Sequence, residues 1–450
     1  MIKSINPFDQ TVVAEFQELS VTEIQDKLDK ASKAFKHWKK SSFATRTTNM
    51  SAVSRVLIQN KNKYAHMISL EMGKIVPESI GEIEKCAKSV QYFADNAELL
   101  LADQIIKTNS QKSLVTYQPT GAVLGIMPWN FPFWQVLRFA VPAIMAGNVA
   151  LLKHAANVTS CSLLLEEIFK DAGFPEGVFQ SLVIDNNAIE SIVSSDVVQG
   201  VALTGSEFAG SLVASIAGKQ IKKTVLELGG SDPFIVLADA DMELTIKNAV
   251  QSRMQNAGQS CIAAKRFIVV REIKDEFVSH FVESVQKIKQ GDPFETGINM
   301  GPLARVDLAE KLEKQLQESV RAGAHLIVGG QRQSANFQPT LLDGVKPGMR
   351  AFDDETFGPM GAIIVATDEL DAISIANNSR YGLGASVWTK DTERGEYVAR
   401  QVEAGSVFVN AIMKSDQRLP FGGVKRSGYG RELSELGIKE FVNAKTISIG

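Results

Sequence analysis

Residues 200–238 read GVALTGSEFAGSLVASIAGKQIKKTVLELGGSDPFIVLA. Gly200–Leu203 is a short apolar run of strand type. Glu207–Ala217 places its apolar residues at helical spacing. Lys223–Leu228 and Pro233–Ala238 are strand-like again. Strand–helix–strand repetition predicts parallel pairing through crossover helices, the doubly wound α/β class. Ligands of such sheets bind outside the carboxyl ends of the strands, so residues just after each run are the ones to inspect.

The pattern extends in both directions. Upstream, Gly121–Met127 and Asn148–Leu152 read as strands and Ser162–Ala172 as a helix. The first 100 residues read mostly as helix. Ile24, Leu28, Ala31, Phe35 and Trp38 step by four and three and share one face. Ser20 or Thr22 stands at its cap. Downstream, Arg266–Val270, Leu326–Val328, Ala362–Ala366 and Ser406–Val409 read as strands, and Lys274–Lys289 as an amphipathic helix. No repeat or charge block marks a boundary, and Gly229–Gly230 is the best candidate hinge.

Composition narrows the function classes. The 450 residues carry 48 Lys+Arg against 51 Asp+Glu, a net charge of −3. A nucleic-acid partner or a polybasic membrane surface would need a basic excess. Three Cys and five His, without Cys-x-x-Cys or His-x-x-x-His spacing, exclude a disulfide scaffold and offer no metal site. The most apolar stretch, Phe139–Leu152, is interrupted by Pro142, Gly147 and Asn148, which argues against a membrane span. The N-terminus lacks the apolar run of a signal peptide. The expectation is a soluble cytoplasmic protein.

The common cofactor fingerprints fail. There is no G-x-G-x-x-G, and Gly205–Gly210 has P-loop spacing but is followed by Ser211-Leu212. Gly258-Gln-Ser-Cys-Ile262 lacks the closing glycine of a hydrolase elbow. Three residues stand out instead. Cys261 sits in a polar, glycine-containing turn before a strand, where a thiol can be exposed and reactive. Cys86 sits on the Glu82–Phe93 helical pattern and Cys161 precedes the apolar run Leu163–Leu165, and both read as core. Glu227 lies between Leu226 and Leu228, where burial would raise a carboxyl pKa and suit a general base. The competing reading turns it outward from a half-buried strand. Asn130, after a predicted strand, is an amide able to donate to an oxyanion, or simply a turn residue.

Together these match a known pattern. The chain resembles the NAD(P)-dependent aldehyde dehydrogenase superfamily over essentially its whole length. The matching segments, in order, are Glu71–Lys74, Pro128-Trp-Asn-Phe-Pro132, Gly173–Gly177, Thr204–Ser206, Leu226-Glu-Leu-Gly-Gly230, Gly258-Gln-Ser-Cys261, Glu355–Pro359 and Pro420–Gly423. The resemblance implies a Rossmann-type cofactor domain (1–98 and 119–230), an α/β catalytic domain (231–430) and a small β oligomerisation arm (99–118 and 431–450). It implies Cys261 as nucleophile, Glu227 as general base, and Asn130 with the Cys261 N–H as oxyanion hole. It places Trp129, Lys153, Ala156, Ser206, Glu355 and Phe357 around the cofactor. It also implies a homodimer or homotetramer acting on a small-molecule aldehyde.

Within the superfamily, Lys153-His-Ala-Ala-Asn157 and Lys414–Pro420 look most like the short succinate-semialdehyde dehydrogenases. Ala156 stands where NAD-preferring members often carry Glu, so NADP is the expected cofactor, with NAD the alternative. Arg138, Ser415 and Arg418 are the expected grip on a substrate carboxylate. Gln255 stands where some members carry an arginine for that purpose, and Ala263 where some carry a second cysteine. A broad aliphatic or aromatic aldehyde dehydrogenase is the alternative within this reading. Outside it stand a cysteine acyl-transfer enzyme without redox chemistry and a non-catalytic binding protein; retention of both Cys261 and Glu227 disfavours these.

Overall fold

The computed structural model describes residues 1–450. Two parallel sheets dominate it. The first has six strands in the spatial order Gly428–Tyr429, Lys223–Glu227, Val198–Thr204, Ala122–Met127, Val149–His154 and Phe179–Ser181. All neighbours run parallel except Gly428–Tyr429. The second has seven strands, in the order His325–Val328, Thr340–Asp343, Met360–Ala366, Ala264–Val270, Asp232–Val236, Gly384–Trp388 and Ser406–Val409. Only His325–Val328 is antiparallel there. Helices cover both faces, so central strands are buried on two sides and read as continuous apolar runs. Every residue of Val149–His154 and of Ala264–Val270 is buried.

The chain passes between the sheets at Gly229–Gly230, between Lys223–Glu227 and Asp232–Val236. The doubly wound prediction holds, with most strand ends lying one or two residues inside or outside the predicted limits. Ala264–Val270 begins with Ala264 and Lys265, outside the predicted run. The Lys265 ammonium lies inside the protein, donating to the Ser260 and Cys261 carbonyls at 2.9 and 2.6 Å. The first helix, Val21–Trp38, starts with a capping box between Ser20 and Glu23, which settles the cap on Ser20. A hairpin, Ile2–Ile5 with Val12–Phe16, precedes it and escaped prediction.

A third sheet is antiparallel: Val442–Ile449, Lys112–Pro119 and Gln104–Ile105. Its strands occupy less than the 99–118 and 431–450 expected for an arm. Leu99 and Leu100 finish the long helix Val76–Leu100. Residues 431–441 fold back onto the body: Glu432 bridges to Phe421, and Ser434–Ile438 is a short helix. The 231–430 boundary also shifts, because Gly428–Tyr429 pairs with Lys223–Glu227 of the first sheet. An antiparallel edge strand can join from any distance in sequence, which local pattern does not reveal. No helix is long and apolar enough to cross a membrane.

Candidate active site

In the first sheet, strand order reverses between Ala122–Met127 and Val198–Thr204. The loops leaving these two neighbours open the crevice where doubly wound sheets bind ligands. One loop carries Trp129 and Asn130, the other Ser206. The Ser206 side chain caps the helix Glu207–Lys219, accepting from the Ala209 N–H at 3.3 Å. The free N–H groups and dipole of that helix start suit a phosphate. Lys153, near the end of the adjacent strand, is buried. Burial lowers its pKa, and Asp185 offsets this only through space. A buried ammonium without an ion-pair partner fits a nucleotide's hydroxyls or phosphate. Ala156 lies exposed in the short turn Ala156–Val158.

Next to Lys153, His154 links this edge to the loop of Asn130. Its Nε2 lies 2.9 Å from Pro132 O, and its Nδ1 lies 3.2 Å from Met127 O and 2.9 Å from the Ala155 nitrogen. Burial pushes its pKa down to about 4. The second sheet contributes Glu355 and Phe357, just before Met360–Ala366. Glu355 accepts from the Gly230 N–H at 3.0 Å and lies 3.6 Å from the Lys265 ammonium. A Cβ on Gly229 would sit 2.5 Å from Glu355 Oε2, so a side chain there would push that carboxylate aside. Phe357 meets Trp129 edge-on, with centroids 5.7 Å apart. Trp129, Glu355 and Phe357 thus lie close together between the two sheets.

Cys261 lies just before Ala264–Val270. Three consecutive residues ahead of it are left-handed: Asn256 (φ 57°), Ala257 (φ 50°) and Gly258 (φ 71°). Such backbone is held only where its surroundings over-determine it. The Asn256 N–H donates to Glu78 at 3.0 Å, and Arg253 donates to Gly258 O at 2.5 Å. Lys265 grips the Ser260 and Cys261 carbonyls from the other side. A Cβ on Gly258 would lie 2.3 Å from Gly358 O. Asn130 is buried beside this turn, its amide donating to Gln259 O at 3.1 Å while Asn256 donates to Asn130 O at 2.9 Å. No protein group accepts from the Cys261 N–H. Burial pushes the Cys261 thiol up to about 12, with Arg138 and Lys265 pulling the other way. The resting group is therefore the thiol.

Cys261 opens onto a cavity of about 380 Å³ walled by Phe131, Trp134 and Phe421, with polar groups from Gln255, Lys85 and Ser415. Glu227 is not in that wall. It is buried, and Oε1 packs toward Gly422, 2.8 Å from where a Cβ there would stand. Burial and the neighbouring Glu432 hold its pKa well above the usual carboxylate range, while Arg138 opposes them. Arg138 also acts on Cys261, so it is the neighbour the two groups share.

The expected carboxylate grip needs correction. Arg138 lines the cavity, but its guanidinium is paired with buried Glu432 and stacked over Phe421. Arg418 stays outside: its side chain is 68% exposed and forks onto Asp416, at 2.7 and 2.9 Å. The two-residue spacing lets this loop satisfy its own charge. Ser415 is in the wall as expected. The residues missed by sequence reading are Glu78, Lys85, Arg253 and Lys265. A periodic charged face, Glu78, Glu82 and Lys85 at helical spacing, was the available signal, but such a face ordinarily points to solvent.

A doubly wound sheet of the kind that binds dinucleotides thus stands beside a cavity-facing thiol on a constrained turn. The profile of the aldehyde dehydrogenase family matches residues 1–447, and the chain belongs to that family. It is 48% identical over 451 residues to a probable succinate-semialdehyde dehydrogenase [NADP(+)] of Synechocystis sp., covering 100% of this chain and 99% of that one. It is 44% identical over 454 residues to the succinate-semialdehyde dehydrogenase [NADP(+)] of Mycobacterium leprae, covering 100% and 99%. The crystal structure of a Streptococcus pyogenes succinic semialdehyde dehydrogenase in complex with NADP+ superposes with a TM-score of 0.98 at 35% identity, covering 100% of both chains.

Proposed function

We propose that this aldehyde dehydrogenase oxidises succinate semialdehyde to succinate, with NADP preferred over NAD. The observation that carries the chemistry is Cys261: a cavity-facing thiol at the end of a left-handed turn, with its own N–H unpaired and the Asn130 amide alongside. The full-length relatives named for NADP and succinate semialdehyde support the substrate and cofactor. So does Ala156, exposed and uncharged where a carboxylate would repel a 2′-phosphate.

In this reading Cys261 gives its proton to solvent, and the thiolate Sγ adds to the aldehyde carbon while the carbonyl π pair moves onto oxygen, forming a thiohemiacetal anion. The Cys261 N–H and the Asn130 amide donate to the developing oxyanion. Lys153, the Ser206 helix start and Glu355 would hold the nicotinamide dinucleotide, which when bound would supply the hydride acceptor. Phe357 and Trp129 shield the reacting carbon from solvent. Once Cys261 carries the acyl group as a thioester, a water must be deprotonated to release the acid. Glu227 takes that proton after its carboxylate swings from Gly422 toward Cys261. Its raised pKa makes it a stronger base than an exposed carboxylate. The enzyme acts as a cytoplasmic homodimer or homotetramer, with the largely exposed strand Val442–Ile449 pairing across subunits.

The test measures reduced nicotinamide with succinate semialdehyde and butanal, each with NADP and NAD. Succinate semialdehyde with NADP should give the highest kcat/KM. Equal handling of butanal would replace this reading with general aldehyde oxidation. Acyl transfer without reduced nicotinamide would overturn the redox assignment.

A further inference from the structure

Lys265 stands behind the nucleophile turn and does not line the cavity. It enters its strand through an irregularity. Asp232 pairs with Ala264, but Pro233, the next residue, pairs with Arg266, so Lys265 is the extra residue of a β-bulge. A bulge breaks the alternation of a strand and re-aims a side chain. Here the Lys265 side chain, fully buried, points back at the turn that precedes it, donating to Ser260 O at 2.9 Å and to Cys261 O at 2.6 Å.

A buried ammonium resting on neutral carbonyls is costly unless counter-ions stand by. Two do. Glu355 Oε1 is 3.6 Å away. Asp232 is buried as well. The place where a Cβ on Gly230 would stand is 2.8 Å from both Asp232 Oδ1 and Cys261 O, so this carboxylate lies close to a carbonyl that Lys265 holds. Burial lowers the Lys265 pKa, and Glu355 and Asp232 oppose that shift. Burial pushes Asp232 up to about 7, and Lys265 draws it down.

Peptide geometry shows what the grip achieves. A trans peptide is planar and rigid, with its C=O and N–H on opposite edges. Ser260 O and the Cys261 N–H share one such plane. Ser260 O accepts from Lys265 and, at 3.2 Å, from the Ala263 N–H. The Cys261 N–H, on the other edge, has no acceptor in the protein. Turning the plane over would break both bonds to Ser260 O. It would also aim a carbonyl dipole where negative charge must develop.

We infer that Lys265 is a positioning residue: it locks the Ser260–Cys261 peptide and so keeps the Cys261 N–H aimed at the oxyanion. Asp232 and Glu355 are the counter-charges that keep the lysine ionised there. The inference rests on the oxyanion reading above, in which that N–H and the Asn130 amide share the developing charge.

The experiment uses the protein without nicotinamide and two probes of Cys261. In acylation by p-nitrophenyl acetate, Sγ adds to the ester carbon, the π pair moves onto oxygen, and its return expels p-nitrophenolate. Alkylation by iodoacetamide displaces iodide and forms no oxyanion. Both reactions need the thiolate, so its fraction cancels in the ratio of the two rates at one pH. That ratio reports the oxyanion site. Asn130→Ala calibrates it and should lower it by about tenfold or more. Lys265→Met should lower it by about tenfold or more too. Because that variant leaves Asp232 buried without its cation, Lys265→Met combined with Asp232→Asn is the second arm and should show the same fall. Suppose Asn130→Ala lowers the ratio and both lysine variants keep it, even with the two rates falling together. Then the peptide needs no lock and the assignment is wrong, while the oxyanion reading stands. If Asn130→Ala keeps the ratio as well, the oxyanion reading fails and takes this assignment with it.

Discussion

The nucleophile turn and the cofactor edge face one crevice but are built in opposite ways. Asn256–Cys261 is strained, left-handed at three successive residues, and clamped by Glu78, Arg253 and Lys265. The cofactor edge is relaxed: strand ends, one capped helix start and an exposed Ala156. The difference follows from their tasks. A nucleophile and an oxyanion site must be held in place before the substrate arrives, because reorganisation during reaction raises the barrier. A dinucleotide must enter and leave, so its site can be an open ledge of dipoles and one cation.

The sharpest break of this contrast is Cys261→Ala. Aldehyde oxidation should fall by about 10⁴ or more, since the whole covalent route goes with the thiol. Cys86→Ala and Cys161→Ala should stay active, both thiols being buried in the core. Turnover retained in Cys261→Ala would remove the turn's special status. Next comes Glu227→Gln. Steady turnover should drop by about 10² to 10⁴, after a burst of reduced cofactor of about one per site. Rapid-mixing absorbance would show the burst, and a normal steady state would mean that Glu227 is not the base.

The third concerns acid. His154 has a folded pKa of about 4, below the 6.5 of an ordinary histidine. The unfolded chain therefore binds this proton first as pH falls. The stability linked to His154 is complete above 6.5 and is lost progressively down to about 4. Denaturation curves across that window should be less steep in pH for His154→Gln. An unchanged slope would show that the histidine joining the two regions is not a buried neutral group.

Smaller effects test the rigidity contrast itself. Gly258→Ala should destabilise by roughly 1–3 kcal/mol, because the backbone is left-handed and a Cβ meets Gly358 O. Gly205→Ala, on the cofactor edge, adds a Cβ whose nearest atom is 3.6 Å away and should leave Tm nearly unchanged. Equal losses in the two would erase the distinction. Smallest is Ala156→Glu, which should shift the NADP-to-NAD preference by about tenfold toward NAD, equivalent to ~1.4 kcal/mol. A wild type that already favours NAD tenfold would reverse the cofactor argument.

Much of this was readable in the chain. The alternation in Gly200–Ala238 announces a doubly wound sheet because apolar periodicity and turn chemistry are local. That Cys261, Asn130 and Glu227 stand at turns and strand ends was legible too. What was not legible is where the Glu227 carboxylate rests, against Gly422 rather than in the thiol cavity, since that depends on a loop two hundred residues away. Lys265 and Arg253 were invisible for a similar reason. A lysine beside a strand looks solvent-exposed until the fold aims it at the carbonyls of the turn it supports.

The sequence by itself determined the fold class and the family. Tertiary structure alone decided which charges are free. Arg138 looked like a substrate grip and is neutralised by Glu432. Arg418 looked like another and pairs with its neighbour Asp416. Lys85 looked like part of a solvated helix face and meets Ser415, 330 residues on, inside the cavity. A side chain's charge is set by its own chemistry, but its counter-ion and its dielectric are set by whatever packing brings beside it.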